Sequence, residues 1–310
     1  MTAGPPLVVI AGATATGKTE LAIRIAESVV AAGRPAVVIS ADSRQVFRGL
    51  DIGTAKVGAA DRARVPHRGL DLVDPDRAFT VADFAAHARE ALGETGAGGG
   101  VAILAGGTGL YLRAVARGLD TDALPSDPAI RARLEAALLS DGLPSLVARL
   151  RLLAPASAAR VDPRNPRRVV RALEMAEITG DAAPPALRGY PGATVWLGLA
   201  IEPATHATRI AARAGAQFEA GLLDEARGLR ERFEPGLPAF SAIGYREAWA
   251  VLDGELTLDA AIELDARRNV AFAKRQRTWF RAEPGIAWLD ATDALPVAAA
   301  IDAVAGILDR

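Results

Sequence analysis

Residues 11 to 27 read AGATATGKTELAIRIAE. Within them Gly12-Ala13-Thr14-Ala15-Thr16-Gly17-Lys18-Thr19 satisfies G-x-x-x-x-G-K-[ST], the loop that cradles phosphate. The motif needs a strand before it and a helix after it. "LVVIAG" (7–12) is a buried-strand run, and from Lys18 apolar residues recur at helical spacing until Gly33. Backbone N–H groups and the helix N-terminus offer donors and positive potential to a phosphate, Lys18 adds a full charge, and the Thr19 hydroxyl can ligate magnesium. Nothing in the loop demands three phosphates over two. Most such loops grip a nucleoside triphosphate, so a kinase or an ATPase is the first expectation.

The surrounding pattern alternates strand and helix. "PAVVIS" (35–40) is a second strand, ended by the polar turn "ADSRQVF". "TVADFAAHAREALGE" is a helix opened by Thr80 and Asp83 as a cap pair, and the glycine run at 96–100 links it to the strand "VAILAGG". Alternation of this kind predicts an α/β fold: a phosphate-loop core of parallel strands with helices on both faces. From about 120 to 190 the chain offers only helices. Asp127 with Pro128, and Asn165 with Pro166, mark two helix starts, the second helix stopping at Gly180. The organisation predicted is a core over 1–118, a helical insertion over 119–190, and a return to the core over 191–310. The return begins with the strand "TVWLGLAIE" and ends with the strand "GIAWLD" and a closing helix.

Composition narrows the chemistry. The chain has 310 residues, half of them apolar, and no cysteine, which excludes disulfides and thiolate-bound zinc. His67, His87 and His206 are too scattered for a metal cage, so any metal is expected on oxygen, most simply Mg2+ on a phosphate. The N-terminus lacks a basic signal region, and no apolar run reaches the roughly 20 residues of a bilayer span. A cytoplasmic protein with no membrane partner is expected. The net charge of -1 argues against a globally basic nucleic-acid coat and leaves local patches open. Only three of the 36 cationic side chains are lysines, Lys18, Lys56 and Lys274, and a lysine among arginines can mark a place that needs a compact charge.

In an open α/β sheet the ligand lies beyond the carboxyl ends of the strands. Three strand ends here carry the phosphate loop, Asp42, and Gly106-Gly107-Thr108-Gly109. Asp42 could ligate magnesium, act as a general base beside a diphosphate, or simply stabilise a turn. Thr108 could serve the site or cap the helix that follows it. Two segments are rich in cations: 160–171 has five arginines and one acid, and 267–281 has six cations, no acid and interleaved aromatics. Each alone reads as a solvated helix face; together they suggest a surface for a polyanion.

"GATATGKT", "DSRQVF", "DIGTAK", "VPHRGLDLVDP", "VADF", "GGTGLYL", "DPRNPRRVVRALE", "IGYREAW" and "AKRQRTWFR" occur in that order between residues 7 and 290. The chain resembles the bacterial tRNA dimethylallyltransferases, also called tRNA isopentenyltransferases. The resemblance implies that the loop holds the diphosphate of dimethylallyl diphosphate, with Mg2+ and without ATP. It implies transfer of the dimethylallyl group to the exocyclic amine of the adenosine immediately 3′ of the anticodon. Asp42 matches the family's catalytic aspartate, and Thr108 matches a residue beside the reacting groups. By the same transfer Asp42, Ser43, Arg44, Gln45 and Thr108 line the tRNA contact, joined by Arg131, Arg167, Arg168, Val169, Val170 and Arg171 of the insertion. Lys274, Arg275 and Gln276 match a last block that contacts RNA or diphosphate. The implied partner is the anticodon stem-loop of a tRNA, gripped by a monomer. Arg68 stands where the family often has a second histidine, and Phe47 where it often has tyrosine. Two rivals remain from the residues alone. One is a small-molecule kinase, which ATP consumption would reveal; the other is a noncatalytic RNA-binding protein, which would show no turnover.

Overall fold

The computed structural model describes residues 4–308. Two compact units emerge, one from the residues up to Gly118 together with those from Gly189 onward, the other from Leu119–Arg188. The second unit closes two residues before the expected 190. Tyr190 belongs to the first unit, where its hydroxyl donates to the Pro5 carbonyl at 2.8 Å.

The first unit is built on six parallel strands: β1 (Leu7–Gly12), β2 (Ala36–Ser40), β3 (His67–Arg68), β4 (Val101–Gly106), β5 (Thr194–Ala200) and β6 (Ala287–Asp290). Their order is β3-β2-β4-β1-β5-β6. The run LVVIAG lacks polar alternation because both of its faces are covered. Leu7, Val9 and Ala11 enter one core, and Val8 and Ile10 enter the other. On the second face lie α1 (Lys18–Ala31) and α12 (Val297–Leu308), contributing Leu21, Ile25 and Val304. The first face is covered by α3 (Val81–Ala97), α4 (Gly109–Ala116), and residues from the helices that follow β5. Connections leave β1 toward β2 on one side, while β5 lies on its other side, so the sheet changes direction at the phosphate loop.

Local chemistry sets the helix starts. Thr80 and Asp83 form the expected reciprocal cap of α3, and its C-terminal turn continues to Ala97, into the expected glycine linker. The short α2 (Ala59–Arg64) and the two-residue β3 carry too little periodicity to be seen in the sequence.

In the second unit, α5 (Pro128–Leu153) bends at Gly142, whose φ of 76° breaks the helix. The short α6 (Pro155–Arg160) leads to α7 (Pro166–Thr179), capped by Asn165. Leu134, Leu146, Leu150, Val169, Val170 and Leu173 form this unit's own core. Beyond β5 the first unit adds α8 (Pro203–Glu219), α9 (Leu222–Arg230), α10 (Tyr245–Leu252) and α11 (Leu258–Arg281). No helix among the described residues is long and apolar enough to cross a membrane.

Candidate active site

The phosphate loop takes its shape from two left-handed residues, Ala15 with φ of 58° and Gly17 with φ of 89°. Gly17 adopts this conformation freely, and it opens α1 without a side-chain cap, leaving the first N–H groups of the helix for a ligand. Thr16 Oγ1 and Lys18 Nζ both donate to the Ala13 carbonyl, at 2.9 and 2.6 Å. A cavity of about 150 Å³ follows the loop from Thr14 to Thr19 and is also lined by Asp42, Gly107 and Arg213. Gly12 and Ala13, expected among the diphosphate contacts, support the loop from behind: Ala13 is 2 % exposed and packs on Ile210 and Ala273. Thr14 lines the cavity, but its N–H is already committed to Gln276 Oε1 at 2.8 Å.

Burial lowers the Lys18 pKa to about 8, with Asp42 pulling it up and Arg213 pulling it down. An anion entering beside it would restore the full charge, so the loop is tuned to a charged guest. Arg213 on α8 is the residue that sequence reasoning missed. It lies in an alanine-rich helix, outside both basic clusters, and only folding brings it to the loop. Its pKa is depressed by burial, with Asp265 and Asp42 acting in the opposite direction.

Asp42 follows β2 and uses Oδ1 to accept the Arg44 N–H at 2.8 Å. The turn role foreseen for this aspartate is therefore real, but it occupies one oxygen; Oδ2 has no hydrogen-bond partner among the described residues. Thr108 sits at the N-cap of α4 without capping it. Its Oγ1 instead accepts the Ser43 N–H at 3.0 Å, which ties the end of β4 to the turn that carries Asp42. A β-carbon on the adjacent Gly107 would push aside the Gln276 amide.

The chain after Asp42 is fixed by polar contacts from several elements. Gln45 accepts from Ser40 Oγ at 2.8 Å and donates to the Thr54 and Ala55 carbonyls at 3.1 and 3.3 Å. Its amide braces the turn from within, and the side chain also lines the cavity beside Asp42. Lys56, 1 % exposed at its side chain, places three donors on Asp51 and Asp71 at 2.6 Å and on the Phe47 carbonyl at 2.8 Å. A compact ammonium suits this three-way junction better than a planar guanidinium. Glu225 accepts the N–H groups of Asp51, Ile52 and Gly53 and the hydroxyl of Tyr245. Of the two departures from the family pattern, Phe47 is buried in the core and Arg68 pairs with Glu94 at 2.8 Å.

The basic segments divide into exposed and structural members. Arg167 and Arg168 are exposed on α7. Val169 and Val170, expected beside them as RNA contacts, are 0 and 5 % exposed and belong to the insertion's core. Arg131 and Arg171 converge on buried Glu174 at 2.7 Å each, and Arg171 also donates to the Pro125 and Leu124 carbonyls. Their guanidinium groups hold the insertion together. On α11, Lys274 and Arg275 are exposed, whereas Gln276 is 7 % exposed and turned inward. Arg275 lines a second cavity of about 290 Å³ with Arg268 of the same basic segment and with Arg246 on α10. Arg44 donates to the Pro238 carbonyl at 2.9 Å.

No group of three or more His, Asp or Glu side chains suited to a metal gathers among the described residues. The oxygen donors lining the cavity include the Thr19 hydroxyl and the Asp42 carboxylate. Such an oxygen-only set, too small to be a cage, fits Mg2+ shared with a phosphate ligand.

The sequence model described as IPP transferase matches residues 45–283. The tRNA dimethylallyltransferase of Bordetella pertussis is 40% identical over 97% of this chain and 98% of its own length. Among solved structures, the full-length tRNA isopentenylpyrophosphate transferase of Bacillus halodurans aligns with a TM-score of 0.71 at 38% identity, covering 98% of this chain and 97% of that one. A eukaryotic dimethylallyltransferase acting on tRNA aligns with a TM-score of 0.73 at 25% identity, covering 93% of this chain and 74% of that one. With a phosphate loop, a carboxylate and a hydroxyl at three adjacent strand ends, and with this likeness over nearly its full length, the chain belongs to the IPP transferase family.

Proposed function

We propose that this chain transfers the dimethylallyl group of dimethylallyl diphosphate to the N6 amine of the adenosine 3′-adjacent to the anticodon of a tRNA. Prenyl transfer to tRNA is the activity named for its relatives. The observation that carries the reading onto this chain is a single cavity in which the phosphate loop, Arg213 and Asp42 meet.

The residues divide the work. Loop N–H groups beyond Thr14, with Lys18 and Arg213, bind the diphosphate and take up charge as the carbon–oxygen bond breaks, which is electrostatic stabilisation of a leaving group. Thr19 and the diphosphate oxygens would hold Mg2+, which when bound neutralises part of that charge. The N6–carbon bond forms as the diphosphate departs with the bonding electron pair. The N6 proton passes to Asp42, whose Oδ2 is free to receive it while Oδ1 holds the turn. Thr108 fixes that turn through Ser43. A base inside a stacked loop cannot reach such a cavity, so the adenosine must be extruded. Arg167 and Arg168 on the insertion, and Lys274 and Arg275 on the core, supply exposed charge for the RNA backbone.

Nucleoside mass spectrometry tests this reading. After incubation with Mg2+, dimethylallyl diphosphate and unmodified tRNA, one adenosine should carry a five-carbon prenyl group in place of an N6 hydrogen, at the position following the anticodon. Prenylation elsewhere in the RNA, or none with any unmodified tRNA, would refute it.

A further inference from the structure

Both backbone polar groups of Thr14 are held by side chains distant in sequence. Its N–H donates to Gln276 Oε1 at 2.8 Å, and its carbonyl contacts His206 Nε2 at 2.8 Å. His206 is 2 % exposed on α8 and Gln276 is 7 % exposed on α11. Arg277 approaches the other imidazole nitrogen, Nδ1, at 3.0 Å. A guanidinium can only donate, so Nδ1 must be the acceptor and the imidazole neutral. That leaves Nε2–H to donate to the Thr14 carbonyl. Burial depresses the imidazole pKa; Arg277, Lys18 and Arg209 depress it further, and only the Thr14 carbonyl pulls upward.

The grip lies beside the one loop residue that resists its conformation. Ala15 follows Thr14 with φ of 58°, a left-handed angle that a β-carbon disfavours. The same two helices support the loop by apolar contact, since Ala13 packs on Ile210 of α8 and Ala273 of α11. Gln276 also reaches across the cavity wall, its Nε2 donating to the Gly107 carbonyl at 3.0 Å. The residue before Thr108 is thereby tied to the phosphate loop.

We propose that His206 and Gln276 are positioning residues that clamp Thr14, hold Ala15 in its left-handed turn, and so keep the phosphate loop in its receiving shape. His206 lies outside the cavity lining and acts through the loop backbone; Gln276 does the same while also lining the cavity. The inference rests on reading this loop as a diphosphate cradle. It assigns the family block at 274–276 a split role, with Lys274 and Arg275 outward and Gln276 inward.

The test uses the full chain with Mg2+ and measures affinity for dimethylallyl diphosphate and for inorganic diphosphate, alongside KM for RNA. His206→Asn keeps an acceptor for Arg277 but withdraws the donor from Thr14, whereas the longer amide of His206→Gln can restore it. We expect His206→Asn to weaken diphosphate binding about tenfold with the RNA KM unmoved, and His206→Gln to stay close to wild type. Adding Ala15→Gly to His206→Asn should recover most of the loss, because glycine needs no clamp to turn left-handed. Gln276→Met, which removes the other partner of Thr14, carries the same expectations if the His206→Asn protein does not fold. Unchanged diphosphate affinity in His206→Asn, or equal losses in the Asn and Gln variants with no recovery by Ala15→Gly, would overturn the clamp. Failure of the wild-type chain to bind either diphosphate would overturn the cradle reading itself.

Discussion

The Thr108 hydroxyl accepts the Ser43 N–H at 3.0 Å, joining the end of β4 to the turn after β2. Asp42 precedes Ser43 in that turn and is braced from the other side by the Arg44 N–H. Asp42, the proposed base, and its support are thus one hydrogen-bonded unit at two strand ends.

Replacing either part should slow the chemical step more than it weakens binding. Asp42→Ala is expected to raise the barrier by about 3 to 5 kcal/mol, the range of a lost general base. Thr108→Val, nearly isosteric but unable to accept from Ser43, should cost about 1 to 3 kcal/mol, and Thr108→Ser should largely retain activity. Single-turnover transfer rates with saturating RNA measure both; a near-normal rate for Asp42→Ala would remove it from the mechanism.

Lys18 and Arg213 should share the diphosphate. Each alanine variant is expected to weaken dimethylallyl diphosphate binding by about 1.5 to 3 kcal/mol, as for hydrogen bonds to charged groups. Isothermal calorimetry with Mg2+ present reads this directly. An unchanged dissociation constant for Arg213→Ala would place that guanidinium outside the site despite its position on the cavity wall.

Most of the sheet was legible because each strand is a short apolar run ended by a turn, and buried parallel strands show that pattern directly. The caps at Thr80, Asp127 and Asn165 were legible because each uses local side-chain chemistry. Motif spacing could not reveal which members of a motif face inward. Val169 and Arg168 are adjacent in one basic block, yet one is core and the other solvent-exposed. Arg213 and His206 were silent because their roles depend on α8 packing beside the loop, a tertiary event with no local signature.

On the insertion, removal of Arg167 and Arg168 together should weaken tRNA binding and flatten the slope of log affinity against log salt by about 1 to 2. Filter binding across a salt series provides the measurement. Arg171→Ala should behave differently, destabilising the insertion, because its guanidinium pairs with a carboxylate that is 0 % exposed. An unaltered salt slope in the double variant would refute the phosphate contacts.

The clamp also predicts a pH dependence of stability. The folded His206 pKa lies below its ordinary value of 6.5, so the unfolded chain takes up the proton first as pH falls. This contribution is fully present above pH 6.5 and is lost as pH drops below it. Urea unfolding between pH 8 and 5 should show a decline in midpoint for the wild type that is shallower in His206→Gln. Parallel curves for the two proteins would contradict the assignment of a neutral imidazole.

The most direct measurement mixes the purified chain with Mg2+, isotopically labelled dimethylallyl diphosphate and an unmodified anticodon stem-loop, without ATP. A twin reaction carries another base in place of the target adenosine. The account predicts label in the adenosine-bearing RNA alone. No label in that RNA or in full-length unmodified tRNA, together with phosphate transfer from ATP to a small molecule, would contradict it.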